Sequence, residues 1–336
     1  MTNPMVEMLN EKGALLADGA TGTNLFNMGL MAGDAPELWN TDEPSNIKAL
    51  YKGAVDAGSD LFLTNSFGAN ASRLKLHHAE SRVFELSRIA AELGREVADA
   101  AGRRVIVAGS VGPTGDIMQP VGPLSHSDAA AMFEATALGL KAGGADVLWL
   151  ETISSLEEFA AAAEGFANAD MDWCGTMSFD TAGRTMMGIT ATGFADFVET
   201  LPNPPIAFGA NCGVGASDLL RTTLGFNAST RPRIAKGNAG IPKYVEGHIH
   251  YDGTPELMAE YVRLAHASGA RIIGGCCGTT PDHLRSMREA LDSIEERPAP
   301  TLAEISQKLG GFSSEMDGTE ANAPTKPVRR RRRVVA

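Results

Sequence analysis

The sequence predicts a (β/α)8 barrel, an α/β fold of the TIM-barrel kind, and three observations carry that prediction. Eight short apolar runs rich in Val, Ile and Leu recur along the chain, longer amphipathic stretches separate them, and polar or glycine-rich punctuation nearly always follows a run. Such runs suit strands buried on both faces of a parallel sheet. Eight strand–helix repeats in roughly 265 residues match the usual size of a closed barrel. An open doubly wound sheet is the alternative, but it usually has fewer strands and a glycine-rich dinucleotide turn after the first. "DGATGTN" lacks that G-x-G-x-x-G spacing, so the barrel ranks first.

In chain order the runs are ALLADG (14–19), DLFLTN (60–65), RVIVAGS (104–110), DVLWLET (146–152), WCGTMSF (173–179), PIAFGANC (205–212), RIAKGNAG (233–240) and RIIGGCC (271–277). Helical stretches between them include 45–57, 80–100, 126–143, 154–166, 217–226 and 255–268, with start signals at Ser127-Asp128 and Thr254-Pro255-Glu256. The residues that follow the runs include Asp18-Gly19, Thr64-Asn65-Ser66, Glu151-Thr152, Asn211-Cys212-Gly213 and Cys276-Cys277-Gly278. In a parallel barrel these positions form the C-terminal rim, where side chains of different strands converge. Reactive residue types gathered there favour an enzyme over a scaffold.

The barrel is expected over residues 10–297. Residues 298–336 read as a low-complexity, basic-ended tail, mostly disordered, in which PAPTLAEISQKL is expected to form one short helix. The 336 residues carry a formal charge of −12, with 43% apolar and 21% charged residues, an ordinary globular composition. The tail after Arg297 holds seven basic and four acidic residues, which leaves −15 on residues 1–297. So acidic a body argues against nucleic-acid binding, which needs a basic face. No run approaches the length of a membrane span, and MTNPMVEMLNEKG has neither a signal core nor transit character, so a cytoplasmic location is expected. Four cysteines in so long a chain are too few for a disulfide framework.

Three of those cysteines form a pattern. Cys212 ends the sixth run, and Cys276 and Cys277 end the eighth, 64 residues later. One βα unit takes about 30 residues, so the two cysteine sites lie two strands apart on one rim. Three thiolates around Zn2+ with one position open is the arrangement of a catalytic zinc. Glycines 213, 274, 275 and 278 flank the cysteines and permit the turns that let adjacent thiols face one ion. Cys174, inside the fifth run, reads as a core cysteine. Such a zinc is a weak Lewis acid, yet it deprotonates an incoming thiol, and a metal-held thiolate is a ready nucleophile for an alkyl group.

LLADGATGTNL, AGSDLFLTNSFGAN, VLWLET, GANCGVG and GGCCGTTPDH occur in that order. Over about residues 10–295 the chain thereby resembles the homocysteine S-methyltransferases, which include betaine–homocysteine methyltransferases and the homocysteine half of cobalamin-dependent methionine synthase. The resemblance implies one zinc on Cys212, Cys276 and Cys277. It implies that Asp18 and Glu151 bind the homocysteine amino group, and that backbone near Gly19 to Thr21 meets the carboxylate. Asn211, beside Cys212, is placed with the substrate contacts. Methionine is the expected product, formed with betaine, a methylcorrinoid on a separate protein, or S-methylmethionine as donor. Where betaine enzymes carry a tyrosine, this chain has Gly68, although Phe26, Trp39 and Phe67 offer a different aromatic cage. A non-catalytic alternative is a zinc-sensing barrel closed by a fourth protein ligand such as Asn211.

Other signals weigh less. His248-Ile249-His250 reads as surface or substrate-proximal rather than metal-binding, and His77-His78 as solvated. SVGPTGD (110–116) has the composition of a phosphate cradle, and Arg329–Arg333 that of a patch for acidic surfaces; a solubilising disordered end is the expectation, and deletion of the residues after Arg297 is expected to leave activity intact.

Overall fold

The computed structural model describes residues 2–226, 229–241, 243–245 and 248–316, with backbone alone for 243–245 and 248–249. Eight strands run parallel: β1 (Leu15–Leu16), β2 (Leu61–Leu63), β3 (Ile106–Val111), β4 (Val147–Ile153), β5 (Trp173–Met177), β6 (Ala207–Cys212), β7 (Arg233–Gly237) and β8 (Ala270–Gly275). Their spatial order is β1-β8-β7-β6-β5-β4-β3-β2, so the ends of the chain order meet and the sheet curls into a nearly closed barrel. Every described residue of β3, β5 and β8 except Arg271 is buried, as a sheet covered on both faces requires.

A single acid stitches the seam between β1 and β2. The Asp60 amide donates to the Leu16 carbonyl at 2.7 Å, and the Leu16 amide donates to Asp60 Oδ2 at 2.8 Å. Asp60 is 1% exposed, and Lys12 and Arg288 pair with its oxygens at 2.5 and 3.0 Å. The run predicted over 14–19 contributes only two residues to the ladder. Beyond them the Ala17 amide still donates to the Ile273 carbonyl at 2.7 Å and the Asp18 carbonyl accepts the Gly275 amide at 2.9 Å, while a Cβ on Gly19 would lie 2.8 Å from the Thr279 carbonyl oxygen.

Two apolar layers hold the fold. Outside the barrel, helices such as Val83–Asp99, His126–Ala142 and Leu156–Asn168 bury one face against the sheet. Inside it, Leu15, Leu61, Val147, Trp149, Cys174 and Ile272 fill the lower end, and Met5, Met8 and Leu9 of the helix Pro4–Lys12 close it from below. That helix was not predicted, although Asn3 caps it through the Met5 amide at 2.9 Å and Pro4 starts it. Ala191–Val198 and Pro281–Asp292 were not predicted either. The helix expected at 126–143 takes Ser125 as its cap, not Ser127-Asp128, and Asp128 instead supplies the capped amide at 3.1 Å. Thr254 caps Pro255–Ala267 as expected.

The packed body does not stop at Arg297. The expected short helix forms at Leu302–Leu309 and buries Ile305 and Leu309. Beyond it Arg221 donates to the Ser314 carbonyl at 2.8 Å, and its guanidinium covers the Phe312 ring at 4.4 Å. A cut after Arg297 therefore strips packed residues from the body. The arginine run lies outside the described residues. Among those described, no helix is long and apolar enough to cross a membrane.

Candidate active site at the barrel rim

Two strand ends, those of β6 and β8, bring the rim cysteines together. The Sγ atoms of Cys212, Cys276 and Cys277 all lie within 4.8 Å of one another, with Cys212 and Cys277 at 4.0 Å. Around tetrahedral zinc, Zn–S bonds of ~2.3 Å put sulfurs about 3.8 Å apart, so a small contraction suffices. Without a cation the trio resists ionisation. For Cys277 contact with Cys212 pulls the thiol down, but the contact and charge of Cys276 and burial outweigh it and push it up to about 12. Cys212 is likewise pushed up to about 12, its contact with Cys276 opposing and Cys277 and burial prevailing. A set of sulfurs that cannot ionise together unaided fits a divalent cation.

The backbone around the sulfurs is held in place. Cys212 has φ +61°, a left-handed conformation that costs a non-glycine residue about 1–3 kcal/mol. Asn238, which the sequence reading passed over, ties the two cysteine segments together. Its Nδ2 donates to the Gly213 carbonyl at 2.8 Å and approaches Cys212 Sγ at 3.8 Å, while its Oδ1 accepts from the Cys277 amide at 3.0 Å. Tyr251 lies beside Cys277 and over Gly278, where a Cβ would sit 2.4 Å from its ring. The flanking glycines divide by role. Gly213 and Gly278 take positive φ as turns require, whereas Gly274 and Gly275 admit close approach, a Cβ on Gly275 meeting Thr279 at 2.3 Å.

Asn211 is fully employed. Its Oδ1 accepts from the Thr152 amide at 2.9 Å and the Thr176 hydroxyl at 2.7 Å, and its Nδ2 donates to Thr152 Oγ1 at 2.8 Å. That leaves its oxygen poorly placed to close a metal site, and only its 3.9 Å approach to Cys276 Sγ reaches the sulfurs.

Asp18 and Glu151 share the rim with a partner that the sequence reading missed. Lys236, in β7, reaches Asp18 Oδ1 at 2.5 Å, with side chains 2% and 8% exposed. Asp18 Oδ2 accepts the Leu63 amide at 2.8 Å, and Glu151 Oε1 accepts the Ser110 hydroxyl at 2.6 Å. Burial pushes the Glu151 carboxyl up, with Lys236 opposing. Burial pulls Lys236 down, but Asp18 and Glu151 together outweigh it and leave it above its ordinary value. The signal was present: Lys236 is a charge in the middle of the apolar run RIAKGNAG, three residues beyond the arginine that opens it. Beside Asp18, the Ala20 amide is taken by the Thr279 carbonyl at 3.2 Å, while the amides of Gly19 and Thr21 meet no acceptor among the described residues.

No ring contact joins Phe26, Trp39 and Phe67 among the described residues, and Arg73 covers the Phe67 ring at 5.4 Å. Glu37 takes the space beside Gly68, where a Cβ would lie 2.9 Å from its Oε1. The Gly68 amide donates to that oxygen at 2.6 Å. The SVGPTGD loop is also committed, since Thr114 gives both its amide and its hydroxyl to Glu158 Oε1 at 2.8 and 2.7 Å. His250 is exposed in a short hairpin of Lys243–Val245 with His248–His250; the His248 side chain lies outside the described residues. Cys174 is fully buried at the lower end of the barrel.

Comparison with known proteins agrees with this geometry. The family model described as homocysteine S-methyltransferase matches residues 15–291. Methionine synthase of Mycobacterium tuberculosis is 29% identical over 309 residues, covering 87% of this chain and 26% of its own length. Methionine synthase of Mycobacterium leprae is 28% identical, with 88% and 26% covered. The chain thus spans about a quarter of the length of these relatives. The metallated form of the homocysteine methyltransferase MmuM from Escherichia coli superposes with a TM-score of 0.70 at 24% identity, over 85% of this chain and 99% of that one. Its oxidised form gives the same score over 86% of this chain. At that identity the likeness speaks for the fold.

Proposed function

The chain belongs to the homocysteine S-methyltransferase family, and from that premise we propose that it methylates the thiol of homocysteine to form methionine, with zinc held by Cys212, Cys276 and Cys277. The observation that carries this reading is the convergence of three sulfurs within 4.8 Å on the rim of the barrel. Zinc held there would lower the pKa of an acceptor thiol and so supply a thiolate at neutral pH. Asn238 and Asn211 direct amide N–H groups at Cys212 and Cys276, and so temper the negative charge of the sulfurs. The amides of Gly19 and Thr21 receive the carboxylate of the acceptor, and Asp18 and Glu151 face its amino group. In the transfer the thiolate sulfur forms a bond to the methyl carbon, and the electrons of the broken bond stay with the donor.

For the donor we assign a protein-borne methylcorrinoid. Two observations support this over betaine. Arg73 already occupies the Phe67 face that a quaternary ammonium would use, and Glu37 fills the space beside Gly68. Of twelve large apolar side chains exposed among the described residues, seven lie outside helices on segments that follow strands, among them Met31, Ile117, Val121, Met186, Met187 and Ile241. An apolar rim around a reactive site suits a protein-borne donor. The closed-site alternative is disfavoured, because both hydrogen bonds to the Asn211 oxygen hold it within the protein. A cytoplasmic setting keeps these thiols reduced and available.

The test supplies zinc-loaded protein and homocysteine with methylcobalamin, betaine or S-methylmethionine in turn. Methionine from methylcobalamin and none from betaine is expected. Turnover with betaine alone contradicts the donor assignment.

A further inference from the structure

Two acids on the rim of a barrel ordinarily wait for a cation from the ligand. Here the protein already brings one. Lys236 rises from β7 inside the barrel, 2% exposed, and its Nζ lies 2.5 Å from Asp18 Oδ1. The fully buried Trp149 ring lies beneath it, 5.7 Å from the nitrogen, and blocks retreat toward the floor. The other Asp18 oxygen takes the Leu63 amide at 2.8 Å, so each oxygen of that carboxylate has a donor from the protein. Glu151 feels the same ammonium and receives the Ser110 hydroxyl.

We propose that Lys236 is a specificity-determining residue that supplies the positive charge Asp18 and Glu151 would otherwise take from the acceptor, so that the site accepts carboxylate-bearing thiols with or without an α-ammonium. This deepens, and rests on, the reading of the site as a thiol methyltransferase. A site that must satisfy buried polar groups with a substrate N–H rejects the analogue lacking it by about 10^4-fold or more, because those groups are left unpaired. With Lys236 in place the Asp18 carboxylate stays paired when the acceptor has no amino group. The Gly19 and Thr21 amides, which meet no acceptor among the described residues, still select the carboxylate end.

Calorimetric titration of the zinc-loaded full chain with L-homocysteine and with 4-sulfanylbutanoate, which has the same carbon chain without the amino group, tests this without any donor. The two Kd values should agree within about tenfold, and Lys236→Met should favour homocysteine by more than about a hundredfold. Lys236→Arg keeps the charge and should keep the wild-type ratio. The wild-type ratio decides even if Lys236→Met fails to fold, and a ratio is not moved by a general loss of folded protein. A wild-type preference for homocysteine above about a hundredfold overturns the inference and leaves the methyltransferase reading standing. Failure of both thiols to bind overturns both.

Discussion

Cys174 and Cys276 sit in the same barrel, and their surroundings differ in the way that separates a packed floor from the rim where we place the chemistry. At the lower end Cys174 is fully buried among apolar side chains, with the Met5 sulfur at 3.9 Å and the Ala207 backbone beside its thiol. Burial pushes its thiol well up, and nothing there asks it to ionise. At the upper end Cys276 meets two further sulfurs, the Asn211 amide and, farther off, the Lys236 ammonium. Strand ends, not cysteine itself, decide the role: below, side chains fill the interior; above, loops converge and leave an ion the partners it needs.

The largest expected effect breaks the upper end. Cys276→Ala should release zinc and bring methionine formation below detection together, as followed by metal analysis and product assay. Surviving activity would refute the proposed role of the sulfurs. The next concerns protons. Without a metal, Cys212 and Cys277 are pushed up to about 12, and contact with Cys212 together with burial pushes Cys276 up as well, so all three are protonated at neutral pH and the metal must displace those protons. Zinc affinity should therefore fall as pH falls, with about three protons released per ion near pH 7. Calorimetry in buffers of different ionisation enthalpy counts them, and a count near zero would mean that the thiols are already ionised.

Asn238→Ala probes the support behind the sulfurs. It removes the bond to the Cys277 amide and the approach to Cys212, and zinc affinity should drop by about 10–100-fold, measured by competition with a chelator. An unchanged affinity would reduce Asn238 to a loop tie. Smallest is Cys174→Ala, at the other end of the comparison. It should cost roughly 1–2 kcal/mol in denaturant unfolding through lost packing, with zinc retention and turnover unchanged. Loss of zinc from that variant would erase the distinction between the two ends.

Much of this was legible in the sequence. The apolar runs and the punctuation after them place the eight strands and their rim, and a spacing of 64 residues puts Cys212 near Cys276. What escaped depends on register between strands distant in sequence. Lys236 reaches Asp18 across 218 residues, and Asn238 joins Cys212 to Cys277 because β7 lies between β6 and β8. Neither contact has a local pattern, although a charge inside an apolar run marked Lys236. The helix Pro4–Lys12 carried its cap and proline in plain view, but its partners, the lower side chains of the barrel, exist only once the sheet closes.

The central claim is that the three sulfurs hold zinc with one position open to the acceptor thiol. X-ray absorption of the zinc-loaded protein, before and after L-homocysteine is added, tests it most directly. A gain of one sulfur in the zinc shell, to about four, is expected. An unchanged shell under saturating homocysteine would mean a closed, structural metal and would contradict the proposed catalysis.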